Sequence, residues 1–303
     1  MKIAVLGPGS MGLLYASGLS QVADVVLLGN NRENIALINQ HGITVRRADS
    51  ERHSDVPAFL NGSYDEQVDL LLIFTKAYHT QEALQANKNV IGPNTVILTL
   101  QNGAGHENVI SRFTDDRHIL IGTTAQGAYR ENPYTVVHSG LGDTCLGAAS
   151  PEFDNIDSFV ETFIKAGFPC LSSENICQTI WNKLMINASS SVLSGVLQVK
   201  QGYVVSNPHA WTLCRQLINE ICMTANAIGC HFSAEEQTER LFNHLSAAPD
   251  GLTSIYSDIR NGRKTEVDVI SGTVVRVAKE HNLSVPTEEF MVHMVHALEG
   301  RQH

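Results

Sequence analysis

Apolar positions in the first half of this chain form short unbroken runs, separated by stretches with helical spacing. Residues 3–6, 25–28, 69–75, 95–100 and 118–122 read as strands. Unbroken apolar runs suit parallel strands buried on both faces. An Ala/Leu-rich helical pattern follows Gly12. A second helix over 33–40 ends at His41-Gly42, with glycine in the usual C-terminal position. Alternating strands and helices imply crossover connections and a doubly wound sheet. Residues 124–147 are rich in Thr, Val and Gly and read as antiparallel strands closing that sheet. A helix over 152–166 and a strand over 169–172 complete this half.

Beyond residue 172 the pattern changes. Amphipathic helical segments follow over 174–195, 207–229, 233–246, 251–261, 264–281 and 286–299, and strand signals almost vanish. The expected organisation is a dinucleotide-binding domain over 1–172, of Rossmann type and α/β class, and an all-α domain over 173–303. Ligands of open α/β sheets bind at the carboxyl ends of the strands, so a cleft between the two domains is expected.

The first strand runs directly into Gly7-Pro8-Gly9-Ser10-Met11-Gly12. A glycine triplet in a strand–turn–helix context signals dinucleotide binding. Gly7 permits the tight turn, Gly9 the approach of a pyrophosphate, and Gly12 close packing of helix on strand. Pro8 has no N–H, so the donors are expected around Ser10 and Met11, at the positive end of the helix dipole. The second strand ends Leu28-Gly29-Asn30-Asn31-Arg32, without the carboxylate that holds a free ribose 2′-hydroxyl. Arg32, with Asn31 as a hydrogen-bond donor, suits a 2′-phosphate and so favours NADPH. Lys76, directly after the third strand, reads equally as a second cofactor cation or a surface lysine.

Composition narrows the partners. With 303 residues, two domains are favoured. A net charge of −10 argues against nucleic acid and anionic membranes, and leaves an anionic substrate dependent on local cations. No signal peptide or membrane-crossing run is visible. The six cysteines form no CxxC pair and suit thiols in a reducing cytoplasm. Cys214, Cys222 and Cys230 recur every eighth position, as a buried stripe on one predicted helix. The histidines have no metal-ligand spacing, so no metal site is expected.

Two polar segments interrupt the helical half. In Trp181-Asn182-Lys183-Leu184-Met185-Ile186-Asn187, Lys183 and Asn187 are four apart and share a helical face, with Ser190 and Ser191 one turn on. The second segment runs from Thr253 to Asp268, where Thr265-Glu266 is expected to enter a further helix. On spacing alone Lys183 reads as a snorkelling surface lysine, and Glu266 as a first-turn carboxylate favoured by the helix dipole.

With these residues in hand, the chain resembles the ketopantoate reductases (2-dehydropantoate 2-reductases) nearly end to end. The resemblance rests on Gly7-x-Gly9-x-x-Gly12, Thr75-Lys76-Ala77, Gln101-Asn102-Gly103-x-Gly105, Gly122-Thr123-Thr124, Trp181-x-Lys183-Leu184-x-x-Asn187, and Ser254-x-x-x-Asp258-x-Arg260-x-Gly262-x-x-Thr265-Glu266-x-Asp268. It implies a Rossmann-type domain joined to a helical domain similar to that of 6-phosphogluconate dehydrogenase. It also implies reduction of ketopantoate to D-pantoate with NADPH. Lys183 then sits at the family's general-acid lysine. Glu266 sits at the carboxylate that orients substrate and also lies at the cofactor. Asn102, Asn187 and Ser254 match its polar active-site positions. Two asparagines common in the family are here Ser191 and Gly251, and the arginine after the second strand is displaced by one place, to Arg32. Ser191 and Gly251 would touch the substrate, so the resemblance fixes the reaction type and leaves the acyl group open.

The implied roles are chemically coherent. Hydride addition to a ketone develops charge on oxygen, and an ammonium group in reach stabilises it and supplies the proton. Burial lowers a lysine pKa, and a nearby carboxylate opposes that shift. Asn187, Ser191 and Ser254 can bond a substrate carboxylate or hydroxyl without added charge, and Asn102 is expected at the nicotinamide end. The expected partner is a small 2-oxoacid, and the outer faces of the last helices leave room for a homodimer. The alternatives are a reductase of another branched or aromatic 2-oxoacid, giving a D-2-hydroxy acid, and a non-catalytic NADPH sensor.

Overall fold

The computed structural model describes residues 1–301; the last two positions of the segment 173–303 lie outside the described residues. The chain divides into two compact units. One comprises Met1–Gln101 and His106–Ile176, the other Asn102–Gly105 and Cys177–His303.

In chain order the first unit contains β1 (Lys2–Leu6), α1 (Ser10–Leu19), β2 (Asp24–Gly29), α2 (Arg32–His41), β3 (Ile43–Arg46), β4 (Glu51–Ser54), β5 (Ala58–Leu60), β6 (Leu70–Ile73), α3 (Thr80–Ala86), β7 (Val96–Thr99), α4 (Glu107–Ile110), β8 (Ile119–Thr124), β9 (Gly127–Arg130), β10 (Thr135–Gly140), β11 (Thr144–Ala148), α5 (Ile156–Lys165) and β12 (Cys170–Ser172). Eight strands form one sheet in the order β12-β11-β8-β7-β6-β1-β2-β5. Every pair in it is parallel except β8 with β11. β1, β6 and β7 are buried throughout all but the first residue of β1, as their unbroken apolar runs require. This is the doubly wound α/β unit that the alternation of strands and helices predicts.

One expectation fails here. Residues 124–147 do not all close this sheet. Only β11 does; β9 and β10 join β3 and β4 in a separate sheet of order β4-β3-β10-β9. β3 pairs in parallel with β10, so the small sheet joins segments far apart in sequence. Its strands are short and partly exposed, which gives them little local signature.

Helix α1 is held in place from several sides. Tyr15 is fully buried and stacks between Phe74 at 5.0 Å and Phe168 at 4.2 Å. Its hydroxyl lies 2.8 Å from Thr124 Oγ1 and 2.6 Å from Thr144 Oγ1, so its polar tip is satisfied where the ring is dry. A Cβ on Gly18 would lie 2.4 Å from the Phe168 ring, so only glycine admits that ring against the helix.

The second unit contains α6 (Ile176–Ile186, all but its first residue), α7 (Val192–Leu197), α8 (Gln201–Ser206), α9 (Pro208–Ala227), α10 (Ala234–Ala247), α11 (Ser254–Arg260), α12 (Ser271–Glu280) and α13 (Pro286–Glu299). Its described residues contain no strand. Cys214 and Cys222 lie on α9, but Cys230 lies beyond its end, buried in the connection to α10. The predicted helix over 174–195 is interrupted by a π-turn at Asn187–Ser191. The predicted helix over 264–281 is likewise broken. Glu266 precedes a short 3-10 turn, Val267–Val269, and α12 starts only at Ser271.

Candidate active site

The glycine loop of the first unit is tightly packed at two of its glycines and open at the third. Gly7 has φ +107°, and a Cβ there would meet Thr75 N at 2.7 Å. On Gly12 a Cβ would lie 2.0 Å from Gly7 O, so helix and turn are in direct contact. Gly9, by contrast, has nothing within 4 Å of where its Cβ would be. It is the N-cap of α1 and offers no side-chain cap. The first-turn amides of Ser10, Met11 and Gly12 are thus donors without intrahelical partners, at the positive end of the helix. Open space therefore remains beside Gly9, at the N-terminus of α1.

At the end of β2, Asn31 caps α2: its Oδ1 accepts from Asn34 N at 2.8 Å. The side-chain amide N–H group remains as the donor. Arg32 is the first residue of α2 and is exposed. Lys76 stands at the start of a 3-10 turn, Ala77–His79, after β6. Gln101 is buried and ties the ends of β6 and β7 together. Its Nε2 donates to Thr75 O at 2.6 Å and to Thr80 Oγ1 at 2.8 Å, and its Oε1 accepts from Thr99 Oγ1 at 2.8 Å.

The second unit carries the other candidates. Lys183 is half-buried in the last turns of α6. Desolvation lowers its pKa from the ordinary 10.5 to about 8, and the negative charge of Glu266 acts in the opposite direction. Glu266 is only 8% exposed. Its segment is braced by α13, whose Glu299 Oε1 accepts from Thr265 N at 2.7 Å and Thr265 Oγ1 at 2.6 Å. His296 bridges Asp268 Oδ1 and Glu299 Oε2, each at 2.9 Å.

The π-turn explains how the polar residues after Lys183 are presented. Ser189 and Ser190 donate their hydroxyls to the carbonyls of Met185 and Ile186, four residues back. Such bonds compete with the helix ladder. The ladder yields, and Val192 N reaches back five residues to Asn187 O. One extra residue is accommodated in the turn, as is common at functional sites. Asn187 opens the turn half-buried, and Ser191 closes it at 6% exposure.

Ser191 is tied to the other polar segment. Thr253 Oγ1 donates to Ser191 O at 3.3 Å and accepts from Tyr256 N at 3.1 Å, capping α11. Ser254, the first residue of α11, is exposed. A Cβ on Gly251 would lie 2.8 Å from Gln201 Oε1, so the Gln201 amide stands beside the position of the missing asparagine.

Asn102–Gly105 belongs to the helical unit although it follows β7. Ala104 N donates to Val269 O at 3.1 Å, and Gly103, at φ +94°, leaves room for that carbonyl. Thr273 Oγ1 donates to Ala104 O at 3.3 Å. Ala104, two residues after Asn102, is thus bonded to Val269, three residues after Glu266. Thr253, Gln101 and the π-turn escape a reading by periodicity; the run Ser189-Ser190-Ser191 inside an apolar helix is the one local signal of the last.

No group of three or more His, Cys, Asp or Glu suited to a metal ion occurs among the described residues. No described helix is long and apolar enough to cross a membrane.

Comparison with known proteins adds three findings. The family model described as ketopantoate reductase PanE/ApbA matches residues 3–151, and its C-terminal counterpart matches residues 175–299. The 2-dehydropantoate 2-reductase of Pyrococcus horikoshii is 30% identical, with 99% of this chain and 98% of that protein covered. That of Streptococcus pyogenes is 28% identical over the same shares. Among solved structures, the ternary complex of D-mandelate dehydrogenase with NADH and anilino(oxo)acetate superposes with a TM-score of 0.93 at 28% identity, covering 99% of this chain and 98% of that one.

Proposed function

Because the chain belongs to the ketopantoate reductase family, we propose that it reduces 2-dehydropantoate (ketopantoate) to D-pantoate with NADPH, a step of pantothenate and hence coenzyme A synthesis. The observation that carries the reading is the Lys183 ammonium, held near pKa 8 beside Glu266 in the helical unit. An acid with that pKa is largely protonated at neutral pH and still gives its proton up readily.

In this reading residues 1–172 bind the nucleotide and residues 173–303 bind the substrate. Gly7, Gly9, Ser10, Met11 and Gly12 cradle the pyrophosphate, and Asn31, Arg32 and Lys76 meet the 2′-phosphate. When bound, NADPH supplies the hydride that reduces the ketone carbon. Lys183 donates a hydrogen bond to the ketone oxygen and then its proton, neutralising the alkoxide. Glu266 keeps that ammonium charged, bonds the substrate hydroxyl and lies at the cofactor with Asn102. Asn187, Ser191 and Ser254 orient the substrate carboxylate and acyl group.

A second reading has its own support. The D-mandelate dehydrogenase complex holds an aromatic oxoacetate and NADH, and Ser191 and Gly251 stand where the family often has asparagine. A branched or aromatic 2-oxoacid, reduced to its D-2-hydroxy acid, is the alternative substrate. The test follows reduced-cofactor absorbance with ketopantoate, ketoisovalerate and phenylglyoxylate in parallel, with NADPH and then with NADH. The highest kcat/KM is expected for ketopantoate with NADPH. A preference for phenylglyoxylate transfers the assignment to the second reading. Binding of NADPH without turnover of any oxoacid makes the chain a sensor. Apolar side chains exposed on the helical unit, among them Leu213, Phe242 and Phe290, supply surface for a homodimer, which sedimentation would register as twice the chain mass.

A further inference from the structure

The glycine loop has a cation at its shoulder that no motif announces. Arg130, the last residue of β9, donates from Nη1 to Pro8 O at 3.1 Å. Pro8 also touches the end of β2, because a Cβ on Gly29 would lie 2.7 Å from Pro8 Cγ. Gly7 N donates to Leu28 O at 2.9 Å, fixing loop and strand end together. Pro8 therefore joins the end of β2 to Arg130. Arg32 follows Gly29 by three residues, as the exposed first residue of α2.

The small sheet is what brings Arg130 there. It pairs with Val136 of β10, and β9 packs on α1. The neighbouring acid is already engaged, since Glu131 receives Arg46 Nη1 at 2.7 Å. Arg130 is exposed and has no carboxylate partner among the described residues. One of its donors goes to a neutral carbonyl, and the rest of the fork is available to an anion. In a glycine-loop βαβ unit, the group that lies over this corner is the adenosine ribose with its 2′ substituent.

We propose that Arg130 is a further ligand of the cofactor 2′-phosphate and helps to set the preference for NADPH over NADH. Arg130 and Arg32 both bond that phosphate, one carried by the small sheet and one by α2. The inference rests on the NADPH reading given above, and deepens it.

The test measures dissociation constants by calorimetry for NADPH and NADH, with wild-type protein and the variants Arg130→Ala and Arg130→Gln. Gln keeps an N–H donor for the Pro8 carbonyl and removes the charge. Both variants are expected to weaken NADPH binding about 10- to 100-fold, the size of a charge-assisted hydrogen-bond pair, and to leave NADH within about twofold. Circular dichroism checks that the fold is retained. Equal losses for both cofactors, or no loss for either, overturn the inference while the wild-type preference for NADPH stands. A wild-type protein that binds NADH as tightly as NADPH overturns the NADPH reading itself, and this inference with it.

Discussion

Burial and the Glu266 carboxylate pull the Lys183 pKa in opposite directions, and burial wins, leaving it at about 8. Both groups are carried by the helical unit. A general acid must hold its proton, so kcat/KM is expected to be flat below about pH 8 and to fall tenfold per unit above it. Lys183→Ala should lower kcat by roughly 10²–10⁴ with cofactor affinity kept. Glu266→Gln removes the charge that raises the lysine pKa, so the falling limb should move to lower pH. A pH–rate profile of the three proteins decides; near-full turnover by Lys183→Ala removes the assignment of the acid.

Two of the loop glycines should fail differently. Gly12→Ala drives a Cβ to within 2.0 Å of Gly7 O, so it should lower the melting temperature, at a cost of about 1–3 kcal/mol for a forced clash. Gly9→Ala meets nothing within 4 Å. It should melt with the wild type and yet bind NADPH at least tenfold more weakly, because the methyl group occupies the pyrophosphate's approach. Melting curves with and without NADPH separate the two.

Thr253→Ala removes an N-cap and the bond to the Ser191 carbonyl at one stroke. The cap alone is worth about 0.5–2 kcal/mol. A rise in KM larger than any fall in kcat is expected, with rescue by Thr253→Ser, which keeps the hydroxyl. A variant that loses stability but leaves KM unchanged would show that the cap does not serve the site.

Glu288 is fully buried on α13, and neither carboxyl oxygen has a hydrogen-bond partner among the described residues. Burial first, then the charge of Glu220, push its pKa well above the usual carboxylate range, against the opposing influence of the Ser271 hydroxyl. A raised folded-state pKa means that the native state holds the proton more tightly. The resulting stability is complete below the unfolded value of about 4.5 and is lost as pH rises through the folded value. Unfolding free energies of wild type and Glu288→Gln, measured from pH 4 upward (roughly the unfolded carboxylate pKa), should diverge, with only the wild type losing stability. Parallel curves would mean that the carboxyl is solvated after all.

Much of this protein is legible in one dimension because the relevant physics is local. The run from Lys2 to Leu6, the turn at Gly7 and the helix from Ser10 follow from burial, φ freedom and capping within a dozen residues. The helices of the second unit announce themselves by spacing. The small sheet does not, since Thr44 and Thr135 pair across most of the first unit. The Cys214–Cys222–Cys230 stripe misleads at its last member, because a repeat of eight continues in the sequence after the helix has stopped. Thr265-Glu266 looks like a helix start, but Glu299 takes the Thr265 amide and hydroxyl, and the helix waits until Ser271.

The sequence by itself determined the doubly wound sheet, the helical second unit and the glycine turn after β1, because short-range sterics and periodic burial are written in neighbouring residues. Only the tertiary structure decided that Asn102–Gly105 travels with the helical unit, that a π-turn over Asn187–Ser191 follows Lys183, and that the ammonium loses enough water to titrate near 8. Those outcomes depend on which distant groups share a dielectric environment and a hydrogen bond, and spacing along a chain carries no record of that.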